Sequence, residues 1–360
     1  MRKLASIKEI LSIEPIEGKD RIVLARIDGW QAIVKKDEFE VGDRVVFCEP
    51  DSVMPEKPEF EFLAKYNYRI KTQKMGKGYS QGLVLSLGVL PSGRYQLGDD
   101  VTELLGITQY EPTMDKEPNV VKNTAKYPKW LMRYGWFRKL VLTSRAKDEF
   151  PAFIKKTDEE RIQNVPHLLN TTNDWVVTEK IDGTSGTFVV TRQKRWYGGY
   201  KYDFMVCSRN RRLAKKNDGS VYWNVAEKYE LEKKIKEMFK SEPKAQWICI
   251  QGECIAPKIQ GNKYKVSESQ FFAFNLITSN KGRLGSIEAR SALELFDIPF
   301  VPIIEQKVLT GMSVNDVLEY ATGKSVVNPN VLREGYVFRT VDGKMSFKAV
   351  SPQFLLKNDE

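Results

Sequence analysis

The sequence predicts an α+β protein of two domains: a small N-terminal β-barrel, then a larger domain built on a mostly antiparallel sheet. Three observations predict it. The first hundred residues carry short apolar runs at close spacing, with Gly, Asp and Pro between them. From residue 151 onward, strand-like runs alternate with helical ones. The charge also divides: residues 1–105 hold 16 Lys+Arg against 17 Asp+Glu, whereas 106–360 hold 41 against 30. At 360 residues the chain is long for one domain.

In chain order, RIVLARI, WQAIVKK, RVVFCEP and GLVLSL read as strands of a small barrel or sandwich over 1–105. Within it, the stretch from Tyr66 to Tyr79 carries Arg69, Lys71, Lys74 and Lys77. That stretch is either a surface for a nucleic-acid backbone or a solvated basic hairpin. Residues 106–120 are polar and broken by prolines, and read as a linker. The second domain then spans 121–360. Its strands are WVVTEKI, GTFVVTR, FMVCSR, WICIQGE, FFAFNLI and GYVFRT, with helices over 222–239 and 286–295.

Composition excludes several classes. No run approaches the ~18 apolar residues of a membrane span, and the N-terminus turns polar too early for a secretory leader. Cys48, Cys207, Cys249 and Cys254 form no CxxC pair, so reduced thiols in a cytosol-like compartment are expected. His167 is the single histidine and no GxSxG accompanies it, which argues against Ser-His or Cys-His catalysis. There is no P-loop and no GxGxxG after a strand.

The net charge of +10 lies wholly outside the first domain and suits a polyanion partner. Its densest part is Val121–Lys147, with eight cations, no acid, and Tyr127, Trp130, Tyr134, Trp136 and Phe137 interleaved. Cations beside stacking rings fit nucleic acid. An amphipathic helix with its rings on the core gives the same pattern.

The chemistry centres on Thr178-Glu179-Lys180-Ile181-Asp182-Gly183-Thr184. A lysine leaves an apolar strand into a tight loop. To attack phosphorus it must lose its proton, which requires its pKa to fall from about 10.4. Alone, Lys-x-Asp-Gly is equally an ordinary hairpin turn. Five further segments follow in order: Ser208-Arg209, Ile250-Gln-Gly-Glu253, Phe271-Phe272-Ala-Phe274-Asn275, Glu334-Gly335-Tyr336-Val337 and Ser346-Phe347-Lys348.

That order resembles the lysyl-nucleotidyltransferase superfamily of ligases and capping enzymes, and within it the RNA ligases. The resemblance implies ATP as co-substrate, magnesium or manganese, and an RNA partner with 3′-hydroxyl and 5′-phosphate ends. It implies Lys180 as nucleophile and Lys348 as the cation on the α-phosphate. Asp182, Glu253 and Glu334 would surround the metal, with Glu253 alternatively on the ribose. Glu179 would lie against the nucleotide, Phe272 would stack on adenine, and Arg209 would receive the 5′-phosphate. Phe272 alternates with Phe274, so one of the two is expected in the core. Arg209 also heads a cationic run with Arg211, Arg212, Lys215 and Lys216 that suits a plain surface.

Two departures from the family pattern stand out. Ser346 occupies the usual place of a first lysine, for which Lys344 on the same strand face is the candidate substitute. Ser185 stands where DNA ligases carry arginine. Only twelve residues follow Lys348, too few for the C-terminal barrel of capping enzymes and most DNA ligases. A small β domain placed first, with Phe150-Pro-Ala-Phe-Ile and Lys156–Asn164 before the lysine, resembles the Deinococcus-type RNA ligases. These join an N-terminal oligonucleotide-binding (OB) domain to an ATP-grasp-like nucleotidyltransferase domain. The implied enzyme is a monomer that seals nicks through lysyl-AMP. The N-terminal domain, far in sequence from every motif, is expected to serve RNA sealing more than lysine adenylylation. A DNA ligase, a GTP-using capping enzyme and a non-catalytic RNA-binding protein are the rivals. They differ in strand preference, in nucleotide, and in forming no covalent adduct.

Overall fold

A computed structural model describes residues 3–76, 78–110, 149–213 and 220–358. The basic aromatic stretch 121–147, most of the 106–120 linker, Lys77, and Lys215 and Lys216 lie outside the described residues.

The N-terminal domain is a small β structure, as its runs of Val, Ile and Leu predict. Ser12–Ile16, Lys19–Ile27 and Trp30–Lys35 form one antiparallel sheet. Ala5–Glu9, Arg44–Cys48 and Leu83–Ser86 form a second. Alternation along these strands sends Ala25, Ile27, Val45 and Phe47 into one core and Ile7, Val46 and Cys48 into another. The domain runs past residue 105, because Thr108–Gln109 pairs with Ser52–Val53.

The second domain holds two antiparallel sheets. The four-stranded one has the order Ile303–Val308, Asp174–Lys180, Gly335–Thr340, Ser346–Val350. The five-stranded one has the order Tyr200–Cys207, Thr184–Lys194, Trp247–Ile255, Gln270–Thr278, Gly282–Arg283. Asp174–Lys180 lies inside its sheet, and Trp175, Val176 and Val177 are all buried, hence its unbroken apolar run. The helices Val221–Lys228, Leu231–Met238 and Ser286–Glu294 cover one face of the larger sheet and form the largest core with it.

The helix expected over 222–239 is two helices. The break falls at Tyr229–Glu230, where Glu230 adopts a left-handed φ of 49°. No glycine or proline marks it. The bend lets Trp223 and Val225 of one helix and Leu231 and Ile235 of the next reach the same core.

The two sheets meet where chemistry was expected. Lys180 ends a strand of the smaller sheet, and Thr184 begins a strand of the larger one. The loop between them passes so close to the neighbouring strand that a Cβ on Gly183 would lie 2.5 Å from the Cys254 carbonyl oxygen. Only glycine fits there.

Candidate active site

Between the sheets opens a cleft of about 530 Å³, within the usual range for small-molecule sites. Its lining includes Lys180 and Ser185 from the crossover, Glu253 from the larger sheet, Arg339 and Lys348 from the smaller one, and Arg209. Strand register explains the gathering. Lys180 pairs with Gly335, which places Glu334 beside it, and Ser185 pairs with Glu253. Gly335 is required by the same closeness: a Cβ there would lie 2.0 Å from the Ala349 carbonyl oxygen.

Lys180 Nζ donates to Glu334 Oε2 at 2.6 Å. Burial alone would lower the pKa of this ammonium. The carboxylates of Glu334, Glu253 and Asp182 outweigh burial and hold it above its ordinary value. Lys180 therefore rests protonated. Glu253 pays for this crowding: burial first, then the charges of Glu334 and Asp182, raise its carboxyl to about 8 against the opposing pull of Lys180. Asp182 pairs with Lys263 at 2.6 Å, and its backbone N–H donates to the Tyr264 hydroxyl at 3.0 Å.

Lys348, two strands over on the same sheet as Lys180, brings a second cation to the cleft, and Arg209 a third. Lys348 Nζ donates to Asp158 Oδ1 at 2.8 Å, and Arg209 lies 3.7 Å from the other oxygen of the same carboxylate. Behind them Glu159 binds Arg339 at 3.0 Å and Arg283 at 3.3 Å, and accepts from the Ser346 hydroxyl. Burial opposes ionisation of Glu159, yet these partners hold it below the ordinary carboxylate range.

Lys180, Glu334 and Glu253 thus come together, and Lys348 and Arg209 face the same cleft. Three details differ from the sequence expectation. Phe271, not Phe272 or Phe274, is the core ring, since residues two apart on a strand share a face. Of the pair it is Phe274 that lines the cleft, while Phe272 packs near Ile255 and Tyr264. Lys344 cannot stand in for the missing lysine. It sits in the turn before the Ser346–Val350 strand, 81% exposed, and pairs with Asp342. Glu179 belongs to the cleft wall, but its carboxylate is engaged elsewhere, accepting from the Val326 N–H at 2.8 Å.

Sequence reasoning missed Asp158, Glu159, Lys258, Arg339 and Tyr110 as cleft residues. The first two fall in the 156–164 stretch already noted, but nothing local marks them as facing the site.

The N-terminal domain matches an OB-fold domain model over residues 4–87. Residues 173–355, just over half of the chain, match the RNA ligase family model. The chain belongs to the RNA ligase family. It is an enzyme of that class, with an OB-fold domain preceding the ligase domain. No curated protein matches it. A Naegleria gruberi RNA ligase solved with pyrophosphate is similar over 100% of this chain and 99% of its own, at 32% identity and a TM-score of 0.80. A variant of that ligase with AMP and manganese matches at 32% identity, 99% of each chain and a TM-score of 0.79. Another, with ATP and manganese, matches at 31% identity, 100% of each chain and a TM-score of 0.79. Among the described residues, no helix of this RNA ligase is long and apolar enough to cross a membrane.

Proposed function

We propose that this RNA ligase seals 3′-hydroxyl and 5′-phosphate ends, at nicks in duplexes, by first taking AMP from ATP onto Lys180. One observation carries the reading: Lys180 Nζ lies 2.6 Å from Glu334, in a cleft that Lys348 and Arg209 also line. The complexes of the Naegleria enzyme with pyrophosphate, with AMP and manganese, and with ATP and manganese support ATP and a divalent cation here.

The Lys180 amine forms a bond to the α-phosphorus as the bond to pyrophosphate breaks. Its ammonium must first lose a proton, and the Glu334 carboxylate is the nearest acceptor. Lys348 faces the cleft where a phosphate would carry charge. Phe274 and Arg209 line the cleft; Phe274 would stack on the adenine ring and Arg209 would receive the 5′-phosphate end. The adenylate then passes to that 5′-phosphate. The 3′-hydroxyl attacks it, forming the phosphodiester and releasing AMP.

The carboxylate set of Asp182, Glu253 and Glu334 fits a hard divalent cation. Among the described residues no three acidic, thiol or imidazole groups converge to hold a bare ion. The carboxylates would hold a cation of this kind through its bound waters. Such a cation supplies positive charge that offsets the carboxylates now keeping Lys180 protonated.

The test is incubation with α-labelled ATP or GTP and magnesium, followed by a denaturing gel. Label from ATP that disappears in Lys180→Ala is expected. Label from GTP alone would assign capping chemistry. No label from either nucleotide, in folded protein free of prior adenylate, would reduce the chain to an RNA-binding protein. Sealing of all-DNA nicks as fast as RNA-containing ones would reassign the strand.

A further inference from the structure

The strands Thr184–Lys194 and Tyr200–Cys207 form a hairpin that starts at the cleft and ends far from it. Ten residue steps separate Thr184 from Lys194, roughly 33 Å at the rise of an extended strand. The tip reads Lys194-Arg-Trp-Tyr-Gly-Gly-Tyr-Lys201 and contains no acid.

Its rings are progressively uncovered. Tyr202 is 36% exposed, Tyr200 43%, Tyr197 63% and Trp196 95%. They are also organised. Tyr202 sits against Phe239 at 5.8 Å and Tyr200 at 6.3 Å between ring centroids, and Trp196 meets Tyr197 edge-on at 5.4 Å. Arg192 anchors the set: its guanidinium lies 4.6 Å from the Tyr200 ring and 4.4 Å from that of Phe239, and donates to the Ala245 carbonyl at 2.8 Å. Arg195 lies over Tyr197 at 5.5 Å.

A solvent-facing tryptophan forgoes the gain of burial, and a built ladder of exposed rings marks a binding surface. Cations without acids between stacking faces match a phosphate chain bearing bases, whereas a protein partner would face an uncompensated charge cluster.

We propose that this hairpin is a second RNA-contacting site, which grips the flank of the substrate away from the break. Trp196 and Tyr197 stack on exposed bases of that flank, and Lys194, Arg195 and Lys201 face its phosphates. The inference rests on the RNA-ligase reading and concerns a surface outside the adenylylation cleft.

The test uses the full-length protein, with Trp196→Ala/Tyr197→Ala beside Trp196→Phe. The RNA substrates carry flanks of about 6 or about 20 nucleotides, the shorter too short to span ~33 Å at ~3.4 Å per stacked step. On the long flank the double variant should raise KM by roughly 5- to 50-fold with kcat little changed, while Trp196→Phe stays near wild type. On the short flank, and in labelling by ATP, all three should agree. Equal KM on the long flank would overturn the proposal, as would an equal loss on both lengths. A wild-type dimer that the double variant dissolves would overturn it too, by assigning the tip to a second copy of this chain. Failure of the wild type to label with ATP would instead remove the ligase reading, and flank-dependent RNA binding could still be measured.

Discussion

Asp158 is the residue whose role the cleft defines most sharply. Its carboxylate bridges Lys348 and Arg209, the two cations assigned to phosphates. An anion already sits where an incoming phosphate would place its charge, so ATP or the RNA end must displace it. Asp158→Asn is expected to lower KM for ATP by roughly 3- to 10-fold, the scale of a partly solvated ion pair. A higher KM would mean that Asp158 aims the two cations instead. Glu253 makes a second prediction through its raised pKa. From the unfolded value of 4.5 up to about 8, the folded chain keeps a proton on Glu253 that the unfolded chain releases. Stability contributed by that proton is present at low pH and is lost as pH rises through the window. Glu253→Gln cannot ionise, so in metal-free buffer its Tm relative to wild type should climb by on the order of a few degrees between pH ~5 and ~8. A flat difference would mean that Glu253 is not held in its protonated form.

At the scale of elements, the Lys180 crossover depends on Gly183. Replacing it with Ala drives a methyl group to 2.5 Å from the Cys254 oxygen and 2.9 Å from Ile255 Cγ2. About 1–3 kcal/mol of stability should be lost, with slower labelling of Lys180, as thermal melts and the labelling gel would show. Unchanged values would show that the loop has room to shift. The strands themselves were legible because apolar runs with turn residues between them state a strand locally. WVVTEKI, WICIQGE and GYVFRT each fall within two residues of the observed strand at either end. The helix break at Glu230 was not legible, since tertiary packing imposes it on a sequence with no breaker. Motif order placed Lys180, Glu253, Glu334 and Lys348 near one another, but not Arg339 or Glu159. Their arrival depends on a long-range ion pair between positions 180 residues apart. The core ring was missed for a local reason: strand alternation assigns Phe271 to the core and puts both Phe272 and Phe274 on the other face.

For the whole molecule, distance in sequence suggested that the OB-fold domain serves RNA sealing more than lysine adenylylation. In space it is tied to the cleft. Asn164 accepts from Trp30 Nε1 at 2.8 Å and donates to Glu49 at 2.6 Å, and the buried Arg161 lies 3.4 Å from Asp51. Gly29 approaches so near that a Cβ would lie 2.7 Å from the Cα of Gln163. The same segment carries Asp158 onto Lys348, and the Glu160 carbonyl accepts from the Lys348 backbone N–H at 2.7 Å. Loosening the domain contact therefore releases the segment that packs against the phosphate-binding lysine. Asn164→Ala would remove the acceptor of the Trp30 indole N–H and one of the hydrogen bonds to Glu49, at a cost of about 1–3 kcal/mol. It should slow both labelling of Lys180 by ATP and sealing of RNA, by similar factors. A variant that labels at the full rate yet seals poorly would return the OB-fold domain to serving RNA sealing more than adenylylation. Equal rates for both steps, with an unchanged Tm, would show that the contact couples nothing.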